Sequence, residues 1–123
     1  MKKIVLMSVV LWMSATSMAQ QVPEKYLKEI DNISTQYNTD MKYFLRTLDP
    51  HTTSFNPQQK AQFCGIVSRY VNDFYQATDK NRSLLPVSYA QMSKQDVIDK
   101  VMHSKEMRLI SKYNIQCDLK GLL

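Results

Sequence analysis

From residue 23 onward the apolar side chains recur at helical steps and almost never alternate. Tyr26, Ile30, Ile33, Tyr37, Met41, Phe44 and Leu48 follow one another three or four positions apart, with Leu27 and Leu45 widening the stripe. That spacing predicts one apolar face of an α-helix over residues 23–48. Pro23 suits a first helical position, where its missing N–H costs nothing, and Glu24 complements the helix dipole. Residues 32–39 are rich in Asn, Ser, Thr and Gln, modest helix formers that leave a kink or break near Asn38 open. Unbroken, such a helix is about 39 Å long.

Pro50 pushes Asp49 out of the α region and ends this helix. Asn56, Pro57 and Gln59 then read as the N-cap, first-turn proline and N3 partner of a second helix. Its expected core stripe is Ala61, Cys64, Val67, Val71, Phe74 and Thr78, flanked by Phe63, Ile66, Tyr70 and Tyr75. Gly65 inside it costs about 1 kcal/mol against alanine. We read it as room for a neighbouring helix or for a bridge at Cys64. Residues 78–92 hold Asp79, Asn81, Ser83, Pro86 and Ser88 and read as a loop with room for one helical turn. Ser93 and Asp96 form a capping-box pattern that opens a third helix. Val97, Val101, Met102, Leu109 and Ile110 fit its buried face, and the off-stripe Met107 points to a break near His103-Ser104. Residues 113–119 are more extended in character.

The chain has only two glycines, Gly65 and Gly121. An all-β sandwich or a phosphate-cradling loop needs more, because tight turns require φ > 0. The expected fold is therefore all-α, a small bundle of three to four helices. Ahead of it stand Lys2 and Lys3, an apolar stretch over residues 4–13, and Ser17-Met18-Ala19. That order is the pattern of a cleaved signal peptide at residues 1–19, followed by a single domain at 20–123. The apolar stretch spans only about 15 Å as a helix, about half a bilayer core, so no stable membrane insertion is expected. The expected location is the periplasm, or outside the cell after secretion.

Export changes the reading of the two cysteines. An even count in a small exported domain reads as one disulfide, Cys64–Cys117. Residues 113–119 would lie across the second helix to make it. Closing a loop of this length is worth about 4 kcal/mol in the chain-entropy model. The competing readings are two buried thiols or a two-cysteine metal site, and the latter lacks CxxC and HxxxH spacings. Charge adds little. Removing Lys2 and Lys3 lowers the formal charge from +5 to +3, and the remaining cations are not clustered as a nucleic-acid footprint would be.

Candidate chemistry is sparse. His51 shares a loop with Asp49, Thr52, Thr53 and Ser54, but a Ser/His/Asp set needs side chains converging in space, which chain adjacency seldom provides. Asp99 and His103 share a helix face without a third ligand at matching spacing, so a surface ion pair is expected rather than a metal site. Asp96, Asp99 and Glu106 are interleaved with Lys94, Lys100 and Lys105 and read as ion-pairing partners. No catalytic set, metal set or cofactor fingerprint is recognisable, and the chain is not expected to be an enzyme. Tyr43, Tyr89, Arg46, Phe55 and Arg82 are the candidate exposed anchors, since aromatic and arginine side chains dominate protein contacts.

The leading expectation is an exported, non-catalytic protein-binding domain, of the inhibitor or immunity kind, for a secreted toxin or cell-wall enzyme. The polar loop from Asp49 to Phe55 would enter the partner's cleft. The first alternative is a carrier of a small apolar ligand in a cavity lined by Met41, Met92, Met102 and Met107. The second is an enzyme with an unrecognised site. A long first helix with two apolar flanks also leaves a homodimer open.

Overall fold

The computed structural model describes residues 22–113, 115–119 and 121. The apolar leader and the Ala19-Gln20 junction lie outside these residues, as do the side chains of Glu106 and Leu109. Among the described residues the protein is helical, without strands. Helix α1 (Glu24–Arg46) runs for 23 residues without the break left open near Asn38, and Pro23 is its N-cap rather than its first residue. Tyr26, Met41 and Phe44 are buried along it. Leu27 and Leu45 are exposed and do not widen the stripe.

Helix α2 (Pro57–Lys80) starts on the expected capping box. The Asn56 side chain accepts from the Gln59 amide at 2.8 Å, and the Gln59 side chain accepts from the Asn56 amide at 2.9 Å. Two of the helix's orphan N–H groups are thereby satisfied locally. The buried row of α2 is Phe63, Val67 and Val71, continued by Ala77 and Thr78. Ala61 is exposed, and Phe63 takes the core place expected of it. The stripe is rotated because α2 is covered from more than one side, by α1 and by helix α4 described below. Gly65 is also exposed. A Cβ added there meets nothing within 4 Å, so close approach does not explain it.

After Lys80 come a 3₁₀ turn (Arg82–Leu84) and a single helical turn, α3 (Val87–Ala90). Helix α4 (Lys94–Met102) opens on the second expected capping box, Ser93 with Asp96. Ser93 holds the Asp96 carboxyl below the usual carboxylate range, first through its backbone amide and then through its hydroxyl. The buried face of α4 is Val97, Ile98 and Val101, whereas Met102 turns toward solvent. The chain breaks at His103-Ser104 and restarts as α5 (Lys105–Ile110), capped by Ser104. The restart resets the helical phase, which is why Met107 and Ile110 both reach the core.

Helices α1 and α2 lie antiparallel, as their cross-contacts show. Tyr26 meets Thr78, Glu29 meets Lys80, Asp40 meets Arg69, and Phe44 meets Phe63. Thr78 donates to the Phe74 carbonyl at 3.0 Å, so at the 2.8 Å Tyr26–Thr78 contact the tyrosine is the donor. Lys80 at 2.8 Å holds the Glu29 carboxyl below its ordinary value, and Asn81 adds to this against the opposing effect of burial. Cys64 and Cys117 form the expected disulfide, with Cα atoms 5.4 Å apart and 53 positions of sequence between them. It fastens the irregular C-terminal segment to the N-terminal third of α2.

Reducing this bridge is expected to lower unfolding free energy by about 3–4 kcal/mol, read as a fall in urea midpoint with and without reductant. Gly65→Ala is expected to act in the opposite direction. It removes a helix-interior glycine without a clash and raises stability by about 0.5–1 kcal/mol in the same urea titration.

Candidate functional site

The antiparallel pair decides where the candidate residues can meet. Tyr43, Arg46 and residues 49–55 sit where α1 ends and α2 begins. Arg82 and Tyr89 follow the far end of α2, 24 residues along, a span of about 36 Å. The ten expected contact residues therefore form two separate groups.

At the first end, Pro50 occupies the second position of a turn in which the Asp49 carbonyl accepts from the Thr52 amide at 2.9 Å. The Asp49 carboxylate also accepts from the His51 amide at 2.7 Å, a local bond that stiffens the turn. Asp49, His51, Thr53 and Ser54 are exposed, and Thr52 is half-buried. Phe55 is different. Its ring lies 5.4 Å from Phe44, 5.9 Å from Phe63 and 5.1 Å from Tyr113. The expected exposed anchor is thus an inward plug, because three rings from α1, α2 and the C-terminal segment offer it an apolar pocket. The loop is pinned at this point rather than free to reach outward. Tyr43 is 72% exposed and Arg46 is exposed beside it, as expected. Tyr43 borders an open groove between α1 and α2 of about 520 Å³, with Ala61 and Gly65 along its α2 side.

At the second end, Arg82 is not a free anchor either. Its Nε donates to Asp79 at 2.8 Å, a terminal nitrogen donates to the Ala90 carbonyl, and its guanidinium lies 5.5 Å from the Tyr75 ring centre. Asp79 and then Tyr75 raise its already high pKa, so the charge is permanent. Lys94 approaches the same ring at 5.4 Å. Both ends of the segment 82–94 are therefore drawn onto Tyr75 by cation–π contacts. The segment between them is a braced loop. Within it Leu84 is 62% exposed and Val87 70%, and Tyr89 is exposed too. Sequence reasoning named Arg82 and Tyr89 but missed Leu84 and Val87. Their signal was present as an apolar pair flanking Leu85-Pro86, in a stretch with no helical stripe to absorb them.

The expected pairing of His103 with the Asp99 carboxylate does not form. His103 Nδ1 lies 2.7 Å from the Asp99 backbone carbonyl, while the Asp99 carboxylate accepts from Gln95 at 2.9 Å. The carbonyl can only accept, so Nδ1 carries the proton. Among the described residues no three His, Cys, Asp or Glu side chains converge as a metal site. Met41, Met92 and Met107 are packed in the core, and Met102 is partly exposed, so the four do not gather around one cavity. No family model, curated protein or solved structure matches this chain.

These placements separate two alanine substitutions within one loop. Phe55→Ala empties a site between three rings and is expected to cost about 2–3 kcal/mol in urea unfolding. His51→Ala removes an exposed side chain and is expected to stay within about 0.5 kcal/mol of wild type.

Proposed function

We propose that this chain is an exported, non-catalytic protein-binding domain, and that the braced loop over residues 82–90 is its contact surface. The observation that carries the reading is the exposure of Leu84 and Val87 on a segment tied at both ends. Isolated apolar side chains are ordinary on a protein surface. Two strongly exposed apolar side chains three residues apart on a fixed loop are the kind of feature that marks a protein contact. The brace matters energetically, because a loop already held in its binding shape loses little freedom when a partner covers it. Tyr89 and the aliphatic parts of Leu84 and Val87 would supply the buried centre, and the polar residues around them the rim.

Export is supported by the leader pattern at residues 1–19 and by the disulfide, which persists in oxidising compartments. Among the described residues no helix is long and apolar enough to cross a membrane. Within this reading the partner is a secreted toxin or an envelope enzyme, masked in the manner of an immunity protein or inhibitor. A partner cleft with an apolar floor would take the Leu84–Val87 pair. The pinned loop at residues 49–55 is the weaker contact candidate, since Phe55 faces inward.

The test is a capture experiment from the envelope and culture fluid with the tagged, oxidised protein and two variants. Wild type is expected to retain a stoichiometric protein partner, and Leu84→Asp with Val87→Asp to lose it. Truncating or charging two such anchors typically costs more than about 2 kcal/mol of binding, a loss of at least about 30-fold. His51→Ala is expected to retain the partner. Loss with His51→Ala alone would move the contact to the opposite end of the molecule. Trp12 is the sole tryptophan, so the exported protein is also expected to show tyrosine emission only.

A further inference from the structure

Midway along the molecule, α1, α2 and α4 leave a cavity of about 260 Å³ that the protein-binding reading does not use. Its aromatic side is built from Tyr37, Tyr70 and Phe74. Tyr37 and Tyr70 stack with centroids 4.3 Å apart, and Phe74 meets Tyr70 edge-on at 5.9 Å. Val97 and Val101 of α4 supply an aliphatic side. The volume is near the lower end for small-molecule sites, about 300 Å³.

The polar part of the lining is what selects a ligand. Ser34, Asn38 and Ser104 stand with Lys100 around it, and among the described residues no carboxylate lines the cavity. Among the described residues Ser34 and Asn38 make no side-chain hydrogen bond, and the described ion pairs, Arg69 with Asp40, Lys80 with Glu29 and Arg82 with Asp79, do not involve Lys100. Asp99, its neighbour in sequence, is engaged by Gln95, and Asp96 by its own N-cap. The one charged side chain on the described lining is thus the exposed Lys100 ammonium, at the edge of aromatic and aliphatic walls. That combination is complementary to a small ring carrying a negative charge, with amide and hydroxyl groups free to bond its oxygens.

We propose that this cavity is a binding site for a small aromatic carboxylate, its ring against the Tyr37–Tyr70–Phe74 side and its carboxylate on Lys100. Tyrosine rings present polar edges and negative faces, so a flat ring fits them by offset stacking or edge contact. The carboxylate exchanges hydration for the Lys100 ammonium and the Asn38 amide. The cavity shares no lining residue with the 82–90 loop, so the two proposals stand or fall separately.

The experiment is a titration of the oxidised protein with naphthoate and with its uncharged analogue naphthamide, followed by backbone amide NMR and calorimetry. Naphthoate is expected to shift amides around Ser34, Tyr37, Tyr70 and Lys100 and to bind more tightly than naphthamide. Lys100→Glu is expected to weaken naphthoate by about tenfold or more while leaving naphthamide nearly unchanged. Lys60→Glu, an exposed charge change at the start of α2, should alter neither. Ser34→Trp, checked for its native helical spectrum, is expected to abolish both by filling the cavity. Shifts scattered away from these residues, or no saturable binding of naphthoate, would overturn the site. Equal weakening of both probes by Lys100→Glu would overturn the role given to the charge.

Discussion

The Cys64–Cys117 bridge is the constraint on which the rest of the C-terminal half depends. Beyond Tyr113 the described chain adds no further helix or strand of length, so few backbone bonds hold it. Its order comes from side chains: Leu119 is 3% exposed, and Ile115 and Cys117 pack against the core cluster. Apolar contacts of this kind must beat the conformational entropy of an irregular segment. A covalent link to the N-terminal third of α2 removes much of that entropy from the unfolded chain. With the segment held, Tyr113 can stack on Phe55, and Phe55 in turn joins Phe44 and Phe63. The aromatic box at the α1–α2 end is therefore downstream of the bridge, and so is the shape of the loop over residues 49–55.

The opposite end is held by different physics. There the joints are Tyr26 on Thr78, Glu29 on Lys80 and Asn81, and Arg82 on Asp79 and the Ala90 carbonyl. The buried hydroxyl contact is insulated from solvent, whereas the ion pairs are partly exposed and weaken with salt. Acid acts on the same end. The Glu29 carboxyl has a lowered pKa in the folded protein. Its contribution is therefore present above the unfolded value and lost as pH falls through the folded one. One end is closed by a covalent bond and packed rings, the other by hydrogen bonds and charge.

How much of this could be read from the chain depended on how local each cause was. Both capping boxes, Asn56 with Gln59 and Ser93 with Asp96, are decided within four residues, and both stand where the sequence placed them. The break at His103-Ser104 followed from a stripe that lost its phase at Met107. The disulfide followed from counting cysteines in a chain expected to be exported. The rotation of α2 that buries Phe63 and exposes Ala61 was not legible, because it depends on α1 and α4 both packing against that helix. Phe55 and Arg82 were misjudged for a related reason. Each is a loop residue whose burial or bonding comes from segments distant in sequence, Tyr113 for one and Tyr75 with Ala90 for the other. The three-helix cavity was invisible from the chain, since its lining is drawn from three distant stretches of sequence.

That difference bears on how the two candidate surfaces should be weighed. A short apolar loop without supports would fold back onto the body, because covering Leu84 and Val87 removes apolar area from water. Here polar and cation–π ties hold the loop instead. The Tyr75 ring is covered by Arg82 and Lys94, and the Ala90 carbonyl is engaged by the same arginine. The polar ties thus keep the apolar pair in solvent while fixing its position. Exposure maintained against the hydrophobic effect is a stronger sign of a contact surface than exposure in a polar loop such as residues 49–54. Those residues gain hydration by standing outward and need no partner to explain them. The physical cost falls on the 82–90 loop, and that is where a binding function has an energetic reason to reside.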